Sequence, residues 1–547
     1  MTIYNMRYWK LFYLIFLISI SCNSGKEHHE VIVNTVYYCD AETTLNDKLV
    51  NNDSIIFGSA KKTSKKYAYS GNTSLLLDSL NVYGFSLKLN DVVPGERFVV
   101  EAWQKTTRGN KIPALIIIES KNQFYHKQRE LVSETKSGWM FTKSFYTIPE
   151  NFEPAEVKFY IWNSAKKAIY VDDFKVTRIK SLIEYNKIAL DKINLLVSQK
   201  NWYQLDSLAN TAVETGRLHR SENDYVKTKI VLNNDTLKGK IRLKGDLTDH
   251  LKKDKWSFRL KTKKPLLYGL RKFNLQAPDT RWLLNEYVYH KIMEREGILC
   301  PKYQFVQVSI NDKSWGIYAL EEGLHQTMIT QSIKQNGILL KFDDEPYWDR
   351  DPAESSEGYI KKSNIKTYGN SSEKDMATAI EILKKYQFQD TTYLDYFDLD
   401  LIARYYALND VMRGYHAMGW INVRFFFNLN TRLMEPVGYD AYPGIGYMNW
   451  GHPYLGYEPH HKKYSPFESE AIIYSFFKNK KATQLYYSYL EKYTNPNKIK
   501  KWLTDLENDI NFYEKQLQIE YPTYEYDRNF ILNNAQLIRT AIDSNNP

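Results

Sequence analysis

The sequence predicts a multidomain protein in which an all-β sandwich precedes an α+β domain with a helical C-terminal part. Three observations predict it. Apolar residues recur with period two between frequent turn residues from about Thr35 to Ile179, hairpin-like strands return from Asp224 to Lys261, and beyond Ala471 apolar residues fall at three and four spacing. At 547 residues, 43% hydrophobic and 15% aromatic, the chain can fill two or three packed cores, which excludes a disordered or collagen-like protein.

At the N-terminus, Arg7 and Lys10 precede an apolar run from Leu11 to Ile20. The run is half of the roughly 20 residues that a spanning helix needs, so it reads as the hydrophobic region of a signal peptide. Ser19 and Ser21 occupy the positions a signal peptidase inspects, and Cys22 is followed by a polar stretch. Residues 1–22 resemble a bacterial lipoprotein signal, with Ser19 where leucine is usual and a linker at 23–34. The resemblance implies an exported protein of the bacterial cell envelope, at the outer membrane or cell surface, anchored by a lipid on Cys22. An ordinary cleaved signal peptide is the alternative and also implies export. Of three cysteines, Cys39 and Cys300 then remain, in different predicted domains and expected to be free thiols.

Residues 35–180 read as the sandwich. Arg97 to Trp103 and Val157 to Trp162 alternate, and Ala114 to Ile118 is a continuous apolar run suited to a doubly covered strand. The order of Tyr69 to Leu75, Val93-Pro94-Gly95, Trp139 and Tyr170 to Val176 resembles the jelly-roll carbohydrate-binding modules. Trp103, Trp139 and Trp162 suit either a core or a platform for a glycan. Asp172-Asp173 suits either a solvated strand end or a structural Ca²⁺. Residues 181–215, with Ile183, Ile188, Ile193, Leu195, Leu205 and Leu208, read as a helical connector. A mixed domain at 216–465 and a helical extension at 466–547 complete the chain.

The sequence has no GxxxxGK[ST] loop, HExxH, GxSxG or paired CxxC, which sets aside the commonest motif-bearing NTPases and hydrolases. The excess of 74 Lys and Arg over 64 Asp and Glu favours anionic partners. Spread over the whole chain, it is not a nucleic-acid footprint. What carries chemistry is a dispersed set. Arg242 to Asp246 is a strand running into a glycine turn, and Lys255 to Leu260 is the strand after it. Asn311 to Glu322 is a turn and strand with an acidic end; Gly337 to Lys341, Asn422 to Phe426 and Glu435 to Asp440 follow. An early lysine, a later glutamate, and an Asn followed by an Asp is the order of parts in a kinase-like site.

The stretch from Asp224 to Tyr442 resembles the CotH kinase family of atypical secreted kinases. The likeness rests on the Arg242 to Gly245 turn, the Lys255 to Phe258 strand, and Asn311 to Glu322, with Asp312 where glycine is usual. It implies a kinase-like fold using ATP and Mg²⁺, with Arg242, Lys244, Lys255 and Lys341 on the nucleotide. Glu322 would pair with Lys255, while Asn422 and Asp440 would carry the metal. Two departures stand out: Gly414 to Ala417 lacks the family's Asp, leaving His416 or Asp410 as candidate base, and Gly438-Tyr439-Asp440 lacks a second acid. The same residues also have ordinary readings, Lys255 as a solvated strand lysine and Glu322 as a surface acid. His452, His460 and His461, in a Tyr- and Pro-rich loop, are a further metal candidate. The implied function is phosphate transfer from ATP to an extracytoplasmic protein or other surface acceptor. The rival is a non-catalytic, pseudokinase-like lipoprotein that binds glycan through its sandwich. A glycoside hydrolase is a third option, for which no acid pair can be assigned.

Overall fold

A computed structural model describes residues 34–545 except 107–112, 129, 136, 150, 180–187, 220, 233–234, 253–254, 266–268, 331–335, 345–361, 443–452 and 458–470. The signal segment with Cys22, and His452, His460 and His461, therefore lie outside the described residues.

Alternating apolar residues build an antiparallel sandwich. Its larger sheet runs Glu130–Glu134, Trp139–Thr147, Arg97–Thr106, Ile169–Ile179, Ser74–Leu77 and Thr63–Ser64, with Asn34–Cys39 also paired to Ile169–Ile179. The facing sheet runs Phe124–Gln128, Leu115–Ser120, Val157–Trp162 and Tyr83–Leu89. Phe98, Val100 and Ala102 from one sheet meet Ile116, Ile118 and Phe159 from the other in one core. Trp139 is buried, and Tyr69 stacks on Trp103 with ring centroids 3.9 Å apart, so one face of the Trp103 ring is already covered. Asp172 accepts from the Tyr69, Ser70 and Asp173 amides, and Asp173 accepts from the Tyr38 and Ser70 hydroxyls, so both carboxylates are occupied by protein donors.

The second unit is a closed seven-stranded barrel in the order Lys192–Leu196, Val226–Leu232, Asp235–Leu243, Phe258–Thr262, Lys272–Gln276, Lys313–Glu322, Tyr303–Ile310. The connector prediction fails over its middle. Lys192–Leu196 is a strand that closes the barrel by pairing parallel to Tyr303–Ile310. Ile193 and Leu195, both fully buried, alternate into the barrel core rather than lining a helix face. The helix proper is Gln199–Thr215, capped by Ser198 and ended by Gly216 at φ 77°. Its Leu205, Ala209 and Ala212 plug the barrel, and Trp202 stacks on Trp256.

A third unit joins a four-stranded sheet to helices. The sheet runs Ile365–Tyr368, Gly337–Phe342, Arg424–Asn428, Leu433–Val437. The helices Leu284–Arg295, Glu373–Gln387, Leu399–Met412, Lys480–Tyr493, Pro496–Glu520 and Phe530–Asn545 share one core with it. Cys39 and Cys300 are buried free thiols, as expected.

Glu296, 8% exposed, ties the C-terminal helices to this core. It accepts from Tyr493 Oη (2.9 Å) and Trp502 Nε1 (3.1 Å), pairs with Lys498 (2.7 Å), and its carbonyl accepts from Arg404 (2.6 Å). Burial pushes its carboxyl up, but Lys498, Tyr493 and Trp502 outweigh burial and hold it below its ordinary value. Glu296→Ala is expected to cost about 3 kcal/mol in urea unfolding, since it strands several buried donors. A loss under about 1 kcal/mol would remove Glu296 from this role. Because the folded pKa is depressed, the stabilisation is present above the unfolded pKa and is lost as pH falls through the folded one.

Candidate functional site

Strand alternation decides which side chains leave the barrel toward the third unit. Leu243, Phe258, Leu260, Phe273, Leu275, Tyr318 and Leu320 fill the barrel, so Arg259, Lys272, Asn274, Gln276 and Glu321 face outward. They form one chain of hydrogen bonds. Lys244 Nζ donates to Gln276 Oε1 (2.6 Å), while Gln276 Nε2 and Asn274 Nδ2 donate to Glu321 Oε2 (2.9 and 2.7 Å). Arg259 Nε donates to Asn274 Oδ1 (2.9 Å).

Opposite them, Lys341 and Arg424 sit directly across from each other on neighbouring strands. Lys341 pairs with Asp344, and Arg424 lies over the Tyr439 ring at 4.9 Å. Lys272 lies over the Tyr368 ring at 5.1 Å and so reaches the same sheet. Burial first, then neighbouring cations, push Lys272 down to about 7 and Lys341 down to about 8. Lys244 is pushed down to about 7 by burial and then by Arg281, against the pull of Glu321 and Asp440.

Asp440 follows the Leu433–Val437 strand in a left-handed conformation, φ 56°. Arg281 holds both its oxygens, Nε 2.9 Å from Oδ1 and Nη2 3.1 Å from Oδ2. Burial would raise the carboxyl, but Arg281, then His416 and Lys244, hold it well below the usual carboxylate range. His416 Nδ1 lies 2.9 Å from the Asp440 carbonyl and 3.3 Å from Oδ1, and Asn422 Nδ2 lies 2.9 Å from His416 Nε2. His416 thus bridges Asn422 and Asp440, with its acceptor nitrogen occupied by the amide.

Two predicted partners are not brought together. Lys255 pairs with Glu520 of the Pro496–Glu520 helix, its amine over the Tyr318 and Tyr521 rings. Glu322 accepts from the Lys302 amide (3.2 Å), and burial pushes its carboxyl up. The reason is parity: Glu322 falls on the barrel-facing side with Leu320, and Glu321 takes the outward position assigned to it. Asp410 lies in the helical core, accepting from the Leu455 amide (3.0 Å) and Tyr486 Oη (2.6 Å). Burial raises it to about 7 against the pull of those donors, and its position is structural. Arg242 donates to the Leu243 carbonyl and lies over the Tyr225 ring.

Sequence reasoning missed Arg281, Glu321, Gln276, Arg259, Lys272 and Arg424. Glu321 had a signal, since it shares parity with Ile317 and Ala319, which pack on the helical core outside the barrel. Arg281 had none, because its partner Asp440 lies 159 residues away and only tertiary packing brings the two together.

A family model described as "CotH kinase protein" matches residues 241–541. No curated protein matches the chain. Solved structures similar to the N-terminal region include the CBM22-1 xylan-binding domain of Paenibacillus barcinonensis Xyn10C, at 19% identity and TM-score 0.20, covering 27% of this chain and 97% of that one. The C-terminal family 22 carbohydrate-binding module of Clostridium thermocellum Xyn10B is similar at 14% identity and TM-score 0.19, covering 27% and 95%.

Arg281→Ala leaves an ionised, buried Asp440 with its main partner gone, and is expected to cost about 3–5 kcal/mol in denaturant unfolding. Arg281→Ala with Asp440→Asn together should recover most of that loss, because no buried charge remains. Equal destabilisation by the single and double variants would show that the pair is not what holds this turn.

Proposed function

The chain belongs to the CotH kinase family, and from that premise we propose that it is an exported kinase that binds ATP with Mg²⁺ and passes a phosphoryl group to a surface acceptor. One observation carries the proposal. Lys244, Arg259, Lys272, Arg281, Lys341 and Arg424 crowd together against Glu321, Asp344 and Asp440, and burial first, then the neighbouring cations, drives the three lysines toward neutrality. A triphosphate entering there relieves like-charge repulsion and returns the lysines to their charged form.

Lys244, Lys272 and Lys341 take the phosphate role in this reading, and Lys255 does not. Asn422 and Asp440 offer hard oxygens of the kind magnesium takes, and Asp440, kept ionised by Arg281, would exchange part of that ion pair to join the metal. Held there, Mg²⁺ would supply positive charge against the phosphates. His416 holds Asn422 against Asp440 rather than acting as base. A loose phosphoryl-transfer transition state depends on position and electrostatics more than on a strong base, so the missing Asp at 414–417 does not by itself abolish transfer. Anchoring through Cys22 follows from the leader sequence.

A second reading concerns the sandwich, where a groove of about 480 Å³ opens on its four-stranded sheet. Tyr83, 62% exposed, and Tyr160 meet edge to face at its wall, beside Glu119, Lys158 and Ser86. The exposed Tyr83 ring beside a carboxylate and an amine suits a sugar ring and its hydroxyls, with Tyr160, 8% exposed under Lys158, backing it. We propose that this groove binds glycan and places the kinase unit on its surface. Affinity electrophoresis with a panel of polysaccharides should show retardation that Tyr83→Ala with Tyr160→Ala abolishes. Retention unchanged by that pair would move the glycan site elsewhere.

ATP with Mg²⁺ at a hundred times its Kd should stabilise the protein by about 2.7 kcal/mol, read as a rise in Tm. Lys272→Ala with Lys341→Ala should remove the rise. Nucleotide affinity should also fall as pH rises from 7.5 to about 9, because binding must reprotonate Lys272 and Lys341, whose free-state values are about 7 and about 8. No Tm shift would sink the nucleotide reading. Binding without transfer of labelled phosphate to any envelope fraction would leave the non-catalytic rival.

A further inference from the structure

Behind Asp440 lies a second group of metal-ligating side chains that shares no residue with the Asn422–Asp440 pair. Glu286 and His290 stand four residues apart on the Leu284–Arg295 helix and therefore share a face. Glu321 arrives from the outward side of the Lys313–Glu322 strand. All three are at most 1% exposed, and one donor atom from each lies within 4.8 Å of the others.

The hydrogen bonding of this group is incomplete in a specific way. His290 Nε2 lies 3.0 Å from Glu286 Oε1, which fixes the ring. Among the described residues, His290 Nδ1 and Glu321 Oε1 are buried with no hydrogen-bond partner, and so is Tyr303 Oη, whose ring stacks on His290 at 5.3 Å. A buried carboxylate oxygen without a donor is destabilising, and an unpaired imidazole nitrogen in the same group adds to that cost. The nearest cations are committed elsewhere, Arg281 to Asp440 and Lys244 to Gln276. A divalent cation on one His290 nitrogen and the two carboxylates would satisfy the open Glu321 oxygen.

We propose that Glu286, His290 and Glu321 bind a divalent transition-metal ion of the zinc or manganese class. One imidazole with two carboxylates suits those ions better than Mg²⁺, which prefers an all-oxygen shell with several waters. The ion would have a structural consequence. Glu286 also accepts from the Ala441 amide (3.0 Å) and the Tyr442 amide (3.1 Å), so fixing its carboxylate fixes the main chain just after Asp440.

The test uses the full chain without nucleotide. After dialysis against EDTA, Zn²⁺ or Mn²⁺ alone is titrated while Tm and bound metal by mass spectrometry are read. One ion per chain and a raised Tm are expected, with loss of both in Glu321→Gln and His290→Gln. Because either variant can fail to fold, X-ray absorption on the zinc-loaded wild-type chain gives an independent reading. It should show nitrogen and oxygen at about 2.0–2.2 Å with imidazole scattering. No retained metal in the wild type, a first shell without imidazole, or equal retention by the folded variants would each overturn the proposal. None of these results depends on whether ATP binds.

Discussion

A carboxylate stays ionised inside a protein only where a cation holds it, and Arg281 does this for Asp440. Both ends of that ion pair are set by backbone that ordinary side chains avoid. Trp282 and Leu283, directly after Arg281, have φ of 50° and 52°, and Asp440 has φ of 56°. Such conformations cost about 1–3 kcal/mol each and persist only where surrounding structure imposes them. Here Glu286 supplies the restraint, since its carboxylate accepts the amides of both residues that follow Asp440. The helix that starts at the strained turn thus also holds the far side of the pair.

From that anchor the rest of the cleft follows by charge. With Arg281 committed to Asp440, Lys244 is left to Gln276 and through it to Glu321. The remaining cations, Arg259, Lys272, Lys341 and Arg424, lie close to one another, and burial first, then this like charge, lowers Lys272 and Lys341. Perturbed titration concentrated in one place is the electrostatic feature on which the proposed phosphate site rests.

The period-two signal made the sandwich legible, and three and four spacing made the C-terminal helices legible, because both arise from local burial. Of the order Lys255, Glu322, Asn422, Asp440, the last two are joined across the fold by His416, while Lys255 and Glu322 take other partners. Parity was not applied at Glu321-Glu322, where two identical residues occupy opposite faces of one strand. The partner of Lys255 could not be read, since Glu520 lies 265 residues away and only tertiary packing brings it there. Lys192–Leu196 was hidden for a related reason: two inward residues in a five-residue strand are too few to set a period against the helical spacing of the residues around them. The turn at Asn311-Asp312 shows the opposite case. Both residues have positive φ, 49° and 65°, as a two-residue hairpin requires, so Asp312 does the work of the usual glycine.

Glu520 explains why Lys255 was drawn away from the cleft. Its carboxylate pairs with Lys255 and accepts the Ile317 amide (2.7 Å), an approach open only because Gly316 has no side chain: a Cβ there would lie 2.6 Å from the carboxylate. The adjoining Ile519 carbonyl accepts from Arg97 (2.9 Å), and Tyr521 meets Phe145. One helix end therefore joins the barrel, the helical core and the larger sandwich sheet. Arg97 and Phe145 both lie on the outer face of that larger sheet, whereas the Tyr83–Tyr160 groove opens on the other one. Docking and the groove consequently use opposite faces of the sandwich, so a ligand can occupy the groove without breaking the contacts that hold the sandwich to the kinase unit.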